Sequence, residues 1–356
     1  MYICRLVNFF KDIAMRFKIA ILIAFALISA NIYSQEDEKL LQDGLFAFKN
    51  DNFTKAIADL SRYVETNTDN AIAYNTLGRA YSYMGNLDKA MLNFQMAIKL
   101  NPNYYEAVKN LGYVYYDEGD FDKAISLFQN AIKINSKYDT AYNALGNAYD
   151  ELKNYKKAIS YYTKAVSLCD YYDGAYNNLG LAYSHNGNYE KAIESCKKAL
   201  EINPRNDDAY NAIGVIYEDQ GEYIEAIEWF KKAIEVNKDN ADAYNNLGVA
   251  YYYSDDVKGE NKAVKNYLKA LELNPDNIDS YNNLGAAYFS TNPAKAMEYY
   301  NKALGINPNH VDTNYNIGKL YMSMGQEADA IAHFRRAARA GQELSRKELK
   351  QRGLDW

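Results

Sequence analysis

Residues 71–104 read AIAYNTLGRAYSYMGNLDKAMLNFQMAIKLNPNY, and residues 207–240 read DDAYNAIGVIYEDQGEYIEAIEWFKKAIEVNKDN. Both stretches carry a tyrosine, a Leu-Gly or Ile-Gly pair, a second tyrosine and two later alanines at the same spacing. Seven glycines stand 34 residues apart, and two more follow after steps of 37 and 33 residues: Gly44, Gly78, Gly112, Gly146, Gly180, Gly214, Gly248, Gly285 and Gly318. A fixed period of this length indicates a repeat protein in which each unit packs on the next.

Small residues recur elsewhere in each unit. An alanine stands twelve residues after the glycine in every unit except the seventh and the eighth, whose lengths differ. These alanines are Ala56, Ala90, Ala124, Ala158, Ala192, Ala226, Ala263, Ala296 and Ala330. Antiparallel helices approach closely where their side chains are small, so we expect the glycine of the first helix to face this alanine in the second. Proline cannot continue a helix, and four prolines follow an asparagine at the end of a second helix: Pro102, Pro204, Pro275 and Pro308. Each unit is therefore predicted to be helix, turn, helix, turn.

This register of aromatic residue, Leu-Gly, tyrosine, alanine, phenylalanine, alanine and proline resembles the tetratricopeptide repeat. The resemblance covers residues 37–341 in nine units: 37–70, 71–104, 105–138, 139–172, 173–206, 207–240, 241–277, 278–310 and 311–341. It implies an all-α, right-handed superhelical solenoid whose first helices line a concave groove that commonly binds a peptide or an extended segment. Residues 342–356 are expected to form a capping helix, with Leu344 and Leu349 on the last open face.

The first 34 residues differ from the repeats. A short basic start at Met15 precedes the apolar run Ile19–Ile28 and a stretch of small and polar residues that ends at Ser34. This order predicts a signal peptide over residues 1–34, cleaved after Ser34 or Ala30, with translation starting at Met15. An uncleaved membrane anchor is the less favoured alternative, because the apolar run is shorter than the ~20 residues of a spanning helix. We therefore expect a bacterial protein exported to the periplasm or the cell surface.

The composition narrows the class of partner. The chain has 356 residues, of which 48% are hydrophobic and 24% are charged, and this balance excludes a disordered tail. Its net charge is −6, and four basic residues against one acidic residue give residues 1–34 a charge of +3, which leaves −9 for the rest. An acidic body repels phosphate backbones, so we expect no nucleic-acid partner.

The sequence shows no arrangement typical of catalysis or metal binding. Its three histidines, His185, His310 and His333, are scattered, and no HExxH, CxxC, GxSxG or P-loop pattern occurs. We therefore predict a protein that is not an enzyme, with no catalytic residue, no metal and no cofactor. Cys169 and Cys196 either form a disulfide or stay reduced, and reduced thiols are favoured because Cys196 takes a helix position that holds an aromatic residue in other units.

A row of asparagines is the first candidate binding feature. With the glycine counted as position eight, the resemblance implies that positions two, five, nine, twelve and thirteen of the first helix face the groove. Position five is asparagine in six units: Asn75, Asn143, Asn177, Asn211, Asn245 and Asn282. Because an asparagine side chain both donates and accepts hydrogen bonds, the row predicts a ladder that holds the backbone of an extended segment. The alternative is that duplication copied these asparagines without a role in the groove.

Five tyrosines outside the packing positions are the second candidate feature. They are expected to face the groove: Tyr83, Tyr113, Tyr116, Tyr252 and Tyr253. An aromatic ring that carries a hydroxyl group is favourable in a protein interface, so we predict that these residues bind the partner.

Acidic residues at positions two, twelve and thirteen predict an acidic groove: Glu106, Asp117, Asp150, Glu151, Asp208, Glu218, Asp219, Asp242, Asp279 and Asp312. At position two the alternative is that they stabilise helix N-termini. Some members of the family clamp a terminal carboxylate with lysine, arginine and asparagine. That clamp is not expected here, because Tyr113 replaces the asparagine beside Lys109. The expected partner is a protein or peptide with an extended, neutral or basic segment.

Three functions fit the sequence. The first is an exported scaffold that mediates protein–protein interaction through its groove. The second is a periplasmic assembly or secretion chaperone for envelope proteins, which would prefer unfolded clients to one folded partner. The third is an enzyme with an unrecognised site, for which turnover abolished by a groove substitution would be the evidence.

Overall fold

The computed structural model describes residues 35–254 and 259–356. The predicted signal peptide and the turn residues 255–258 lie outside these ranges. The described residues contain helices and no strand. The helices are α1 (35–49), α2 (Phe53–Thr66), α3 (Ala71–Tyr83), α4 (Leu87–Leu100), α5 (Tyr105–Asp117), α6 (Phe121–Ile134), α7 (Asp139–Glu151), α8 (Tyr155–Leu168), α9 (Asp173–His185), α10 (Tyr189–Ile202), α11 (Asp207–Asp219), α12 (Tyr223–Val236), α13 (Ala241–Tyr253), α14 (Gly259–Leu273), α15 (Ile278–Tyr288), α16 (Pro293–Ile306), α17 (Val311–Ser323), α18 (Glu327–Arg339) and α19 (Glu343–Gln351).

The chain divides into two compact units, Met1–Asn154 and Tyr155–Trp356. The described part of the first unit contains α1–α7, and the second unit contains α8–α19. Within each unit consecutive helices pack in pairs, such as α3 on α4 and α13 on α14, and each pair packs on the first helix of the next pair. The predicted fold class, an all-α solenoid of helix pairs, is confirmed. The division between the units falls inside the predicted fourth repeat.

In seven repeats the glycine of the first helix lies against a large side chain of the second helix, whereas Gly180 lies against Cys196. A Cβ atom built on Gly78 would lie 2.7 Å from Cε1 of Phe94, whereas the nearest atom of Ala90 is its carbonyl oxygen at 3.2 Å. The glycine therefore faces the backbone of the alanine, as expected, but its closest contact is with the ring. The glycine leaves room for the ring four residues after the alanine, and the buried alanine lets the two backbones approach.

Both kinds of turn follow from local chemistry. Inside five of the repeats, the second residue after the first helix has a left-handed backbone, with φ between +73° and +79° at Gly85, Gly119, Gly187, Gly221 and Gly325. Glycine adopts this conformation without a steric penalty. Between repeats, the asparagine that ends the second helix folds back on its own backbone, because Oδ1 of Asn101 accepts a hydrogen bond from the N–H of Asn103 at 3.1 Å.

Helix α19 covers the end of the second unit. Leu349 is fully buried against Phe334 and Ala338 of α18. Leu344, which the sequence predicts on the same face, keeps 51% of its surface exposed. The structure therefore confirms a capping helix but corrects the position of Leu344.

Candidate functional site

The first unit carries a pocket of about 620 Å³ on its first helices. Helices α3 and α5 form most of it, and Phe94 of α4 and the residues just before α5 and α7 complete it. Its lining combines four tyrosines, four charged residues and four others: Tyr83, Tyr104, Tyr113, Tyr138, Arg79, Glu106, Lys109, Asp117, Asn75, Ser82, Phe94 and Asn110. The pocket therefore offers aromatic surface together with both signs of charge.

Three of the predicted tyrosines lie in the first unit. Tyr83 is 63% exposed and stacks on Phe53, with ring centroids 4.6 Å apart. Tyr113 lies edge-on to Tyr116, with centroids 6.4 Å apart, and shares the pocket lining with Tyr83. The Tyr116 hydroxyl donates a hydrogen bond to Oε1 of Glu151 at 3.1 Å. These contacts hold large aromatic groups at the surface of α3 and α5, ready to pack against a partner.

The other two predicted tyrosines are neighbours in the second unit. Tyr252 and Tyr253 meet edge to face, with ring centroids 5.1 Å apart. Tyr253 is 59% exposed and stacks on Tyr223, with centroids 5.7 Å apart. Burial raises the pKa of Tyr252 above the ordinary value of a tyrosine.

The asparagine row joins successive repeats. Asn75 accepts a hydrogen bond at Oδ1 from Nδ2 of Asn110 at 3.0 Å, and Asn245 accepts one in the same way from Asn283 at 3.0 Å. The equivalent bonds run from Asn246 to Asn211 at 3.2 Å and from Asn316 to Asn282 at 3.0 Å. Four members of the row are at most 8% exposed: Asn75, Asn143, Asn177 and Asn245.

From the sequence, this row is expected to hold the backbone of a partner. In the structure the side-chain oxygens of Asn75, Asn211, Asn245 and Asn282 instead accept from the asparagine one repeat later. The hydrogen bonds that the structure shows for the asparagine row are all within the protein. That the row also contacts a partner stays a prediction. Asparagine at position six of the next unit is the sequence signal that points to this pairing.

Two cations in the first-unit pocket are not among the predicted site residues. The guanidinium of Arg79 lies 4.5 Å from the ring centroid of Phe48. Nζ of Lys109 lies 5.6 Å from the centroid of Tyr113 and 5.5 Å from that of Tyr138. Burial lowers the pKa of Lys109, and the nearby Arg79 lowers it further. The pocket is therefore not uniformly acidic, in contrast to the groove that the sequence predicts.

The second unit contains carboxyl groups whose pKa values are raised. Burial raises the pKa of Glu218 to about 7, and the neighbouring Asp219 adds to the shift. Burial also raises the pKa of Asp208, helped by repulsion from Asp207 and Asp242. Carboxylates with raised pKa values bind a cation or a hydrogen-bond donor readily, because either relieves their desolvation or mutual repulsion. This chemistry suits a basic or neutral segment.

His310 and His333 form polar contacts within the protein, and Cys196 lies in the core. Nδ1 of His310 lies 2.7 Å from the Thr313 hydroxyl at the start of α17, and His333 meets Asn314 at 3.0 Å. Cys169 and Cys196 are free thiols, and burial raises the pKa of Cys196 to about 12. Within residues 35–254 and 259–356, no group of three or more histidine, cysteine or acidic residues is placed to hold a metal ion. None of the helices described is both long and apolar enough to cross a membrane.

Solved structures with the same arrangement support the fold. A human IFIT1 dimer with m7Gppp-AAAA matches with a TM-score of 0.63 and 16% identity over 88% of this chain and 80% of that one. A tetratricopeptide repeat protein from Parabacteroides merdae matches with a TM-score of 0.58 and 17% identity over 76% and 99%. A chain of the Cut9–Hcn1 hetero-tetramer of APC/C matches with a TM-score of 0.58 and 19% identity over 75% of this chain and 52% of that one, so the protein spans about half its length.

Family models identify the repeats themselves. No curated protein matches the sequence. Models described as tetratricopeptide repeat match residues 71–104, 174–206, 104–170, 195–228 and 290–351, and a model described as TPR repeat matches 216–253 and 261–292. A Sel1 repeat model also matches 241–275. Together with the paired helices, these matches show that the chain belongs to the tetratricopeptide-repeat proteins, which are α-helical scaffolds for protein–protein interaction.

Proposed function

We propose that the protein is an exported, non-enzymatic scaffold that binds an extended segment of another protein through the surface of its first helices. The observation that carries the proposal is the first-unit pocket, where the exposed Tyr83 and the half-buried Tyr113 line one depression with charged side chains. Rigid aromatic rings beside polar groups are typical of the residues that contribute most to protein interfaces.

The residues around the tyrosines explain why this surface suits a partner. Tyr83 is held by its stacking on Phe53, and Tyr113 rests edge-on against the buried ring of Phe128 at 5.2 Å. Little side-chain freedom is lost when rings that are already held in place meet a partner, which favours binding. In the second unit the acidic side chains favour a neutral or basic stretch of the segment.

Affinity capture tests the proposal. The chain from Gln35 onward is immobilised and exposed to envelope extracts, beside a variant in which Tyr83, Tyr113 and Tyr116 are replaced by alanine. Loss of three interface aromatics is expected to weaken the binding of the partner by at least about tenfold, because residues of this type often contribute 2 kcal/mol or more each. The thermal unfolding midpoint should stay close to that of the wild type.

Tyr171→Ala is the matched control, since Tyr171 is 79% exposed and lies in a turn. Equal retention of the partner by the triple variant and by the control would place the binding surface elsewhere. Capture of many unfolded proteins in place of one partner would favour the chaperone function. Turnover of a substrate that the triple variant abolishes would favour an enzyme.

A further inference from the structure

Arg79 and Lys109 form a pair of cations in the first-unit pocket. Both residues line it, and Arg79 is close enough to Lys109 to lower the pKa of the lysine. In the part of the chain that the structure describes, neither side chain forms an ion pair; their contacts are with aromatic rings. Burial and Arg79 disfavour the charged form of Lys109, and the attraction of Glu106 and Asp139 offsets only part of this, so an anion bound between the two cations would be favourable.

A third group in the pocket can donate a hydrogen bond. The Tyr104 hydroxyl accepts from Nδ2 of Asn75 at 3.3 Å, and its own hydrogen has no acceptor among the described residues. A tyrosine keeps this hydrogen at neutral pH, and burial raises the pKa of Tyr104 further. A guanidinium, an ammonium group and a phenol hydroxyl thus line one pocket, which is the donor set for a small planar anion.

We propose that the pocket between Arg79 and Lys109 binds the carboxylate of an aspartate or glutamate side chain within the extended segment. This inference rests on the proposed function, and it makes that segment acidic at the point where it meets the first unit. Arginine pairs with the two oxygens of a carboxylate, while Lys109 supplies a point charge between the rings of Tyr113 and Tyr138.

Two acidic residues of the pocket limit the negative charge that it can hold. Glu106 and Asp117 also line it and would repel a doubly charged phosphate more strongly than a carboxylate. The position of the pocket favours a side chain over a chain terminus. It lies on α3 and α5, with α1 and α2 before it and α7 packed beyond α5 within the same unit. A bound segment therefore has protein surface on both sides of its acidic residue.

Peptide selection tests the inference, because it does not require an identified partner. Two random peptide libraries are selected on the chain from Gln35 onward. In one library both peptide ends are joined to the carrier, and in the other the carboxyl terminus is free. The same selections are run on a variant with both Arg79→Gln and Lys109→Gln, and on Lys89→Gln. The last is the matched control, because Lys89 also lies over a tyrosine ring, that of Tyr81, but outside the pocket.

We expect the wild type and Lys89→Gln to enrich peptides with an acidic residue at one internal position in both libraries, and the double variant to lose this enrichment. For an enriched peptide, replacing that acid by its amide should weaken binding to the wild type by about tenfold or more, as for a lost charge-assisted hydrogen bond. The same replacement should change binding to the double variant by less than about twofold. The double variant should keep the thermal unfolding midpoint of the wild type.

Each other outcome overturns the inference in a distinguishable way. Enriched peptides without an acidic preference would leave the proposed function in place but reject this pocket as a carboxylate site. Acidic enrichment that persists in the double variant would assign it to other residues. Enrichment only at free carboxyl termini would replace the internal side chain by a terminal carboxylate. Failure of the wild type to enrich any peptide would reject the proposed function as well.

Discussion

Gly112 lies so close to Phe128 that a methyl group has no room between them. A Cβ atom built on Gly112 would lie 2.5 Å from Cε1 of this fully buried ring. Gly112→Ala is therefore expected to lower the free energy of unfolding by roughly 1–3 kcal/mol, the usual cost of overpacking a core. Urea unfolding followed by circular dichroism measures the change.

Gly305 provides the matched control. It lies in helix α16 with no heavy atom within 4 Å of the position its Cβ would take. Gly305→Ala is expected to raise the free energy of unfolding by up to ~1 kcal/mol, because alanine is the better helix former and restricts the unfolded chain. If both substitutions changed stability in the same direction, the ring of Phe128 would not be what requires glycine at position 112.

Glu218 makes stability depend on pH. Burial raises its folded-state pKa from 4.5 to about 7, so the folded protein keeps the proton over a range in which the unfolded chain has lost it. The folded state then binds more protons, and the stability from this group falls as pH rises between about 4.5 and 7. After allowance for its partial exposure, we expect Glu218→Gln to raise the free energy of unfolding at pH 8 by roughly 1–3 kcal/mol.

The measurement is urea unfolding at pH 5 and pH 8. Glu218→Gln should gain at pH 8 and change little at pH 5, where the wild-type side chain is protonated. Glu228→Gln, at an exposed position of the adjacent helix α12, is expected to change stability by less than about 0.5 kcal/mol at either pH. An equal gain for Glu218→Gln at both pH values would show that its burial does not control the titration.

At the level of single residues, the sequence predicts contacts that recur from repeat to repeat. It does not predict contacts that occur in one repeat only. The repeated glycine and alanine predict close packing, yet the identity of the facing ring requires the crossing of two helices. Lys109 interrupts the asparagine row in the sequence, but its pairing with Arg79 appears only when α3 and α5 lie side by side. The helical period predicts which residues of one helix share a face. It does not predict which residues of two helices lie side by side.

The capping helix gives a test at the level of an element. Leu349 of α19 is fully buried against Phe334 and Ala338, whereas Leu344 is half exposed. Leu349→Ala is expected to lower the free energy of unfolding by about 2–5 kcal/mol, since it removes a core side chain and opens the end of the solenoid. Leu344→Ala is expected to cost about 1 kcal/mol or less. Thermal and urea unfolding separate the two variants, and equal losses would contradict the packing of α19.

The helices are well predicted from the sequence, because residues that end a helix recur at the same positions in most repeats. Asparagine ends a second helix and glycine ends most first helices, and the structure places a turn at each. Lys153 and Asp51 adopt the same left-handed backbone with φ of 56° although neither is glycine. A sequence search for glycine misses these two turns, because packing of the flanking helices enforces a conformation that the residue itself disfavours.

The net charge of the molecule does not describe the charges that meet in one pocket. Apart from residues 1–34 the chain carries −9, which divides into −5 for residues 35–154 and −4 for residues 155–356. The pocket of the first unit nevertheless holds two cations beside two acidic residues, and Glu218 of the second unit is a half-buried acid. A net charge describes long-range attraction, while the side chains in a pocket decide what binds there. The sequence therefore predicts that the partner is a protein or peptide. It does not predict the order of charged residues along the segment of the partner that binds.

Export is the prediction that concerns the whole chain. The basic start, short apolar run and small residues before Gln35 favour cleavage by a signal peptidase, so the mature protein is expected to begin at Gln35 or Asn31. N-terminal sequencing of the native protein, together with fractionation of the cells that make it, measures this directly. A mature protein in the periplasmic or surface fraction supports the proposed setting. An intact leader in the membrane fraction would favour the anchor, and recovery from the cytosol would contradict export while leaving the pocket between Arg79 and Lys109 available to a cytosolic partner.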